Sequence, residues 1–333
     1  MQDVGVDPAT PHPQGGVDYP RTLLEFSEWF GSEKACARFL ADVRWPGGFR
    51  CPACGGDKAW PTSRGEMRCA GCQRQTSVTA GTIFDKTRKP LRLWFQAIWY
   101  VTNQKFGGSA LGLQRSLGFG SYQTAWAWLH KMRRAMVRPG RDRLKGCVEV
   151  DETYVGGDEE DVRGRQTERK AIVAIAVEVL EPKGFGRVRL RRIADCSANS
   201  LTPFVCNAIE PGSEVRTDGW LGYTRLAAKG YRHVQTVLSA QEDPAHVVMP
   251  AVHRVASLLK RWLLGTHQGA VRAAHLDYYL DEYTFRFNRR KSRARGLLFY
   301  RLVEQAVQID PVPYRQLVGG KSVATTTDGA YES

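Results

Sequence analysis

The sequence predicts an α/β protein: a mixed sheet flanked by helices, preceded by a small cysteine-bearing ribbon and a helical segment. Three observations predict it. Two Cys-x-x-Cys pairs, Cys51/Cys54 and Cys69/Cys72, stand 14 residues apart in the first quarter of the chain. Apolar residues then recur at helical spacing through residues 91–137. From Cys147 the pattern changes to short β-favouring runs, with acids at Asp151 and Asp218 and then a helix-like run bearing His253.

At 333 residues the chain can form two or three domains with substantial cores. The 48 Lys and Arg outnumber the 34 Asp and Glu, a net charge of +14 that favours a polyanionic partner. Nucleic acid is preferred over a membrane surface because no lipid-facing amphipathic segment stands out. No apolar run reaches spanning length, and no basic-then-apolar leader opens the chain, so a cytoplasmic protein is expected. Eight cysteines in such a compartment argue against disulfides. Cys36, Cys147, Cys196 and Cys206, scattered among apolar residues, read as buried inert thiols.

Taken in order, residues 1–20 are rich in Pro, Gly, Asp and Gln and read as disordered. Residues 21–47 form a helical segment, one or two short helices broken near Gly31-Ser32. Residues 48–85 form the ribbon. Two matched knuckles suit tetrahedral zinc, each giving two thiolates from a tight turn, with Gly55, Gly56 and Gly71 supplying backbone freedom. Four cysteines fill the coordination shell, so this Zn2+ is structural rather than catalytic.

Residues 86–146 read as a helix-turn-helix-like domain and a basic linker. Ser109–Gly118 and Ser121–Leu129 are short helices around a Gly-containing turn, the second placed to enter a DNA groove. Lys131, Arg133, Arg134, Arg138, Arg141, Arg143 and Lys145 follow, either a phosphate-binding run or a solvated face and linker.

Residues 147–310 carry the sheet. Val148–Asp151 is a strand, Asp158–Arg169 a charged loop, Ala171–Val177 a central strand, and Arg187–Arg191 a strand with arginines on one face. Ser200–Ile209 reads as helix, Val215–Thr217 and His233–Val237 as strands, and Val252–Lys260 as helix. That order, β-β-β-α-β and then a helix, is that of a ribonuclease-H-like domain. Residues 271–307 are helical in pattern, with a basic cluster of Arg286, Arg289, Arg290, Lys291, Arg293 and Arg295 that suits a phosphate backbone or a solvated face. Residues 311–333 form a tail, mostly disordered.

Asp151 leaves an apolar strand beside Glu152, and an unpaired carboxylate at the edge of a core invites a cation. Asp218 ends a second strand-like run 66 intervening residues later, and His253 follows after 34 more. Converging, these three could hold two divalent cations for phosphodiester chemistry, Asp151 bridging them. Without the two aspartates, His253 would read as a core histidine. Lys260, two helical turns beyond it on the same face, could hold a phosphate or be a surface lysine. The roles of Glu149 and Glu152 stay open, since adjacent strand residues face opposite sides.

The sequence resembles the zinc-ribbon insertion-sequence transposases of the ISXO type, in the DDE superfamily. The matching pieces are Arg44-Trp45-Pro46 before Cys51-Pro52-Ala53-Cys54; Gly81-Thr82-Ile83-Phe84; Ser109-Ala110; Val148–Gly157; Thr217-Asp218-Gly219; Ser257-Leu258-Leu259-Lys260; His275-Leu276; and Phe285–Arg290. The resemblance spans about residues 22–305. It implies that Asp151, Asp218 and His253, seven residues before Lys260, bind two Mg2+ or Mn2+ ions. It also implies a DNA transposase acting on double-stranded terminal inverted repeats and target DNA, nucleoid-associated in a bacterial cytoplasm and homo-oligomeric on DNA. His253 stands where many relatives have Glu, although family variants carry His or Asn. A neutral imidazole adds no charge and is a softer donor, which favours Mn2+. Two rivals remain: a nuclease of the same fold without strand transfer, and a DNA-binding regulator with an inactive core.

Overall fold

The structure, a computed structural model, describes residues 12–138, 140–156, 170–182, 184–236, 248–269 and 271–319. The chain divides into two compact units, the first built from residues up to Ala135 together with Ser292–Tyr314, the second from Met136–Lys291 and the segment from Arg315.

The first unit begins with α1 (Leu23–Trp29) and α2 (Glu33–Arg44), capped by the hydroxyls of Thr22 and Ser32 on the N–H groups of Glu25 and Ala35. A three-stranded antiparallel ribbon follows, β1 (Ala59–Pro61), β2 (Met67–Cys69) and β3 (Gln75–Thr76). Arg44 secures the ribbon's exit. Its guanidinium donates to the carbonyls of Ser77, Val78 and Ala80 at 3.2, 2.7 and 2.6 Å, which gives the Arg44-Trp45-Pro46 motif a structural role.

Next come α3 (Leu91–Asn103), α4 (Ala110–Leu117) and α5 (Tyr122–Ala135). Gly118 ends α4 at φ +66°, a left-handed cap that costs glycine least. The core of this unit is aromatic: Phe26, Phe30, Phe39, Phe95 and Trp99 gather around Phe299, with ring centroids 5.4–6.2 Å from it.

Phe299 arrives from α9 (Arg295–Ala306), which lies inside the residue range expected for the sheet domain. Its apolar face packs with α3 and α2, so the sheet domain ends before Ser292. Residues 12–20 also depart from the expected disorder. Gly16 N–H bonds the Tyr19 carbonyl, and Tyr19 is buried near Tyr300. Residues 1–11 lie outside the described residues.

The second unit holds a five-stranded sheet in the order β6-β5-β4-β7-β8. The strands are β4 (Cys147–Val155), β5 (Ala171–Val179), β6 (Phe185–Ile193), β7 (Glu214–Asp218) and β8 (Arg232–Thr236). β4, β5 and β6 run antiparallel, whereas β7 and β8 run parallel to β4. This is a ribonuclease-H-like sheet. On one face α6 (Ala198–Ala208) covers Val148, Val150, Ala174, Ala176 and Val215. On the other, α7 (Pro250–His267) and α8 (Leu276–Asn288) cover Val173, Ile175, Val177, Val188 and Leu190. A short helix, α10 (Tyr314–Val318), lies in the expected tail; Leu317 is buried and its carbonyl accepts from His275 Nε2 at 3.0 Å. The charged loop at 158–169 and the tail from 320 lie outside the described residues.

Candidate active site and metal centre

The metal centre of the ribbon is built locally. Cys51 and Cys69 each begin a turn in which the N–H four residues on returns to the cysteine carbonyl, from Gly55 and Gln73, at 2.9 and 3.0 Å. Both of those residues take positive φ, +73° and +60°, so the second knuckle relies on Gln73 rather than on Gly71. The four sulfurs of Cys51, Cys54, Cys69 and Cys72 all lie within 4.8 Å of one another, and two of the pairs are 3.5 Å apart. Tetrahedral zinc with bonds of ~2.3 Å wants sulfurs roughly 3.8 Å apart, so the set fits Zn2+. Its electrostatics ask for a cation. The N–H groups of Cys54 and Ala53 lower the Cys51 thiol to about 6. Cys54 accepts from the Gly56 N–H but is pushed up to about 12 by the three sulfurs around it.

The acid site is built from distant pieces. β4 and β7 pair in parallel as Val148↔Val215 and Glu149↔Arg216, where the ladder ends. Two residues further along each strand stand Asp151 and Asp218, on the same face as Glu149 and Arg216 because side chains alternate. Neighbouring strands are about 4.8 Å apart. The position is where strand order in the sheet reverses, with Asp218 at the carboxyl end of β7, and α/β sheets bind ligands at such reversals.

α7 crosses this face and brings His253 with it: Nε2 lies 4.0 Å from Asp151 Oδ2, and both side chains keep some exposure, 32% and 20%. Two donors on one cation at ~2.1 Å can be at most about 4.2 Å apart, so this pair can share an ion. Asp218 is looser. The three donors do not gather within 4.8 Å of one another; among the described residues only the cysteines do. Asp218 Oδ1 accepts the Trp220 N–H at 3.0 Å, which turns it into its own loop. A bridging acid with one further ligand on each side does not require the two outer ligands to meet. One buried group feels the nearby carboxylates. The Tyr223 phenol is pushed well up, first by burial, then by the charges of Glu152, Asp151 and Asp218.

Comparison with known proteins points to transposases. Residues 143–288 match the family described as the ISXO2-like transposase domain, and residues 31–75 match the transposase zinc-ribbon domain. Two segments of the chain therefore match domains of transposases, one of them ISXO2-like. A relative described as an uncharacterized protein in transposable element ISH50, from Halobacterium salinarum, is 28% identical over 276 residues, covering 77% of this chain and 91% of that protein. Among solved structures, the catalytic core domain of BIV integrase is similar at 17% identity and a TM-score of 0.31, over 46% of this chain and 89% of that one.

Other expected residues of the transposase domain take varied places. Lys260 is exposed, seven residues beyond His253 on α7 and so about 10 Å along its axis. Glu152 faces away from Asp151, toward α6, where its Oε2 accepts from Tyr223 Oη at 2.8 Å. Glu149 is 2% exposed and accepts the Ala251 and Val252 N–H groups at the start of α7. Tyr223 was not legible as part of the site, since an aromatic residue in a loop carries no signal of its own.

The basic clusters are largely structural. Arg133 and Arg134 are buried, and Arg134 donates to the Asp310 carbonyl at 3.2 Å. Burial also lowers the pKa of Lys131 and Arg141. Arg138 and Lys145 are exposed. In the later cluster, Arg286 pairs with buried Glu282, and Arg289 lies over Phe285. Arg290 lies over Phe287 and donates to the carbonyls of Phe185 and Gly186, while Asn288 bonds both backbone groups of Val188. The Phe285–Arg290 motif therefore closes the exposed edge of β6. Lys291 and Arg293 are exposed.

Proposed function

We propose that this protein is a DNA transposase that cleaves DNA at the terminal inverted repeats of an insertion sequence and joins the freed 3'-hydroxyl to target DNA. The observation that carries this reading is Asp151 beside His253, with Asp218 on the adjoining parallel strand, inside a transposase domain. Bound divalent cations would supply Lewis acidity to the attacking and leaving oxygens of the phosphodiester. Asp151, Asp218 and His253 would hold them. In cleavage a water oxygen bonds phosphorus as the 3'-oxygen leaves and takes up a proton. In joining, that 3'-hydroxyl bonds a target phosphorus, the target's own 3'-oxygen leaves, and the phosphodiester count is conserved.

Lys260 would hold a DNA phosphate, its exposed ammonium lying on the helix that carries His253. The ribbon and the α4–α5 pair would bind the terminal repeats. The exposed start of α5, Tyr122 and Gln123, is the part able to reach bases, because α5 is mostly buried from Ala125 onward. A homo-oligomer on DNA would bring two element ends together. No helix among the described residues is long and apolar enough to cross a membrane.

The test is an oligonucleotide assay with terminal-repeat DNA and Mn2+, in which joined products are expected. Nicks without joined products identify a nuclease of the same fold. Asp151→Asn should lower cleavage at least about a thousandfold, some 4 kcal/mol, while DNA binding and zinc content stay unchanged. Retained cleavage in that variant overturns the assignment.

A further inference from the structure

We propose that Glu149 is the positioning residue of this site: it ties the start of the helix carrying His253 to the strand carrying Asp151, and so sets the spacing of the two donor groups. The proposal rests on the reading that Asp151 and His253 share a divalent cation.

The argument begins with an unprovided helix end. α7 starts at Pro250, and its N-cap residue Met249 offers no side-chain hydrogen bond. Proline has no N–H, so the first donors left over are those of Ala251 and Val252. Both are buried residues. Glu149 Oε2 accepts both, at 2.8 and 2.9 Å, from a position more than a hundred residues earlier. A carboxylate at this end also meets the positive pole of the helix.

Its placement links the two ligands by a short path. Glu149 lies two residues before Asp151 on the same face of β4, and Val252 directly precedes His253. Between the two donor groups therefore run two strand residues, one carboxylate and a single helical step. A shift of the helix end by an ångström would move Nε2 by a comparable amount from its 4.0 Å separation.

The same device occurs elsewhere without a site nearby. α3 follows Pro90, which has no side-chain cap, and Glu33 accepts the Leu91 and Arg92 N–H groups at 2.6 and 3.1 Å. Glu33 thus gives an internal control for capping that contributes stability alone.

The experiment measures Mn2+ binding to the full chain by the electron paramagnetic resonance of free Mn2+, with no DNA present. The proteins are the wild type, Glu149→Ala, Glu149→Gln, Glu149→Asp, His253→Ala, the Glu149→Ala/His253→Ala double variant, and Glu33→Ala. Glu149→Ala is expected to weaken Mn2+ binding about tenfold, in line with outer partners of metal ligands. Glu149→Gln keeps an acceptor oxygen at the same reach and should stay within about twofold of the wild type. Glu149→Asp keeps the charge but withdraws it by about 1.5 Å, and should bind more weakly than Glu149→Gln. Glu33→Ala should lower the melting temperature and leave Mn2+ affinity alone.

In the His253→Ala background, Glu149→Ala should cause no further loss, because its effect runs through the imidazole. Equal losses with and without His253 overturn the proposal, as does wild-type affinity in Glu149→Ala. If Glu149→Ala does not fold, the order of the Gln and Asp variants decides; Asp binding normally while Gln fails shows that charge, not position, matters. Unchanged affinity in His253→Ala alone removes the shared-cation reading and this proposal with it, a result distinct from a missing coupling.

Discussion

The ribbon and the acid site both present groups able to hold metal, yet they are assembled in opposite ways. The ribbon's four sulfurs come from two short turns whose geometry is set by local backbone bonds, and they converge within 4.8 Å. The acid site takes one group each from β4, β7 and α7; His253 and Asp151 stand 4.0 Å apart, but the three donors do not all gather within 4.8 Å. A full shell of thiolates leaves no open position and suits structure; a looser set of harder donors leaves room for a substrate oxygen. The difference teaches where each region's stability comes from. The ribbon has a core of little more than Phe49, Cys51 and Cys69, so its fold depends on the ion. The sheet unit has two full apolar layers.

The sharpest way to break this contrast is to remove zinc. Chelation, or Cys54→Ser, should unfold the ribbon, a loss on the order of 10 kcal/mol of metal-linked folding energy. Hydrogen exchange should show the sheet unit still protected. If the sheet loses protection as well, the two centres are not independent.

The next effect falls on the sheet itself. Burial pulls the Glu178 carboxyl up, but hydrogen bonds from Arg187, its guanidinium at 2.7 Å among them, outweigh it and leave the pKa below the usual value. A carboxylate with a depressed folded pKa adds stability above its unfolded pKa of 4.5, and that stability is lost as pH falls through the folded value. Arg187→Ala should therefore cost about 3 kcal/mol at neutral pH, read by urea unfolding, and the gap to the wild type should narrow below pH 4.5. A gap that does not change with pH would show that the pair contributes through packing alone.

A smaller effect tests the candidate ligands. His253→Glu should shift the metal preference of cleavage toward Mg2+ by about tenfold, or ~1.4 kcal/mol, since carboxylate is the harder donor. Identical Mg2+/Mn2+ ratios in both proteins would count against His253 as a ligand. Smallest is the contribution of the exposed cations. Arg293→Ala should lower the salt slope of DNA binding by about 1, whereas Arg290→Ala, whose guanidinium serves the β6 edge, should leave the slope alone and reduce stability.

The sequence was most informative where structure is local. Cys-x-x-Cys at a 14-residue separation determines a ribbon because each turn positions its own two sulfurs. Alternation and apolar runs likewise mark β4 to β8, and their order with α6 and α7 specifies the sheet class. Periodicity says which residues share a face; it does not say which unit buries that face. For this reason α9 reads as part of the sheet domain although Phe299 completes an aromatic core with Phe26 and Phe95. It is also why Arg133, Arg134 and Arg290 read as candidate phosphate contacts although backbone carbonyls or burial claim them.

By itself, then, the sequence determined the ribbon, the succession of strands along the chain and the residue types available for a metal site, because these depend on spacing along the chain. Only the tertiary structure decided that His253 stands beside Asp151, that Asp218 turns partly into its own loop, and that Glu149 fastens α7 to β4. Those relations depend on distances between elements far apart in sequence, and such distances are set by how the apolar layers pack rather than by any local preference of the residues concerned.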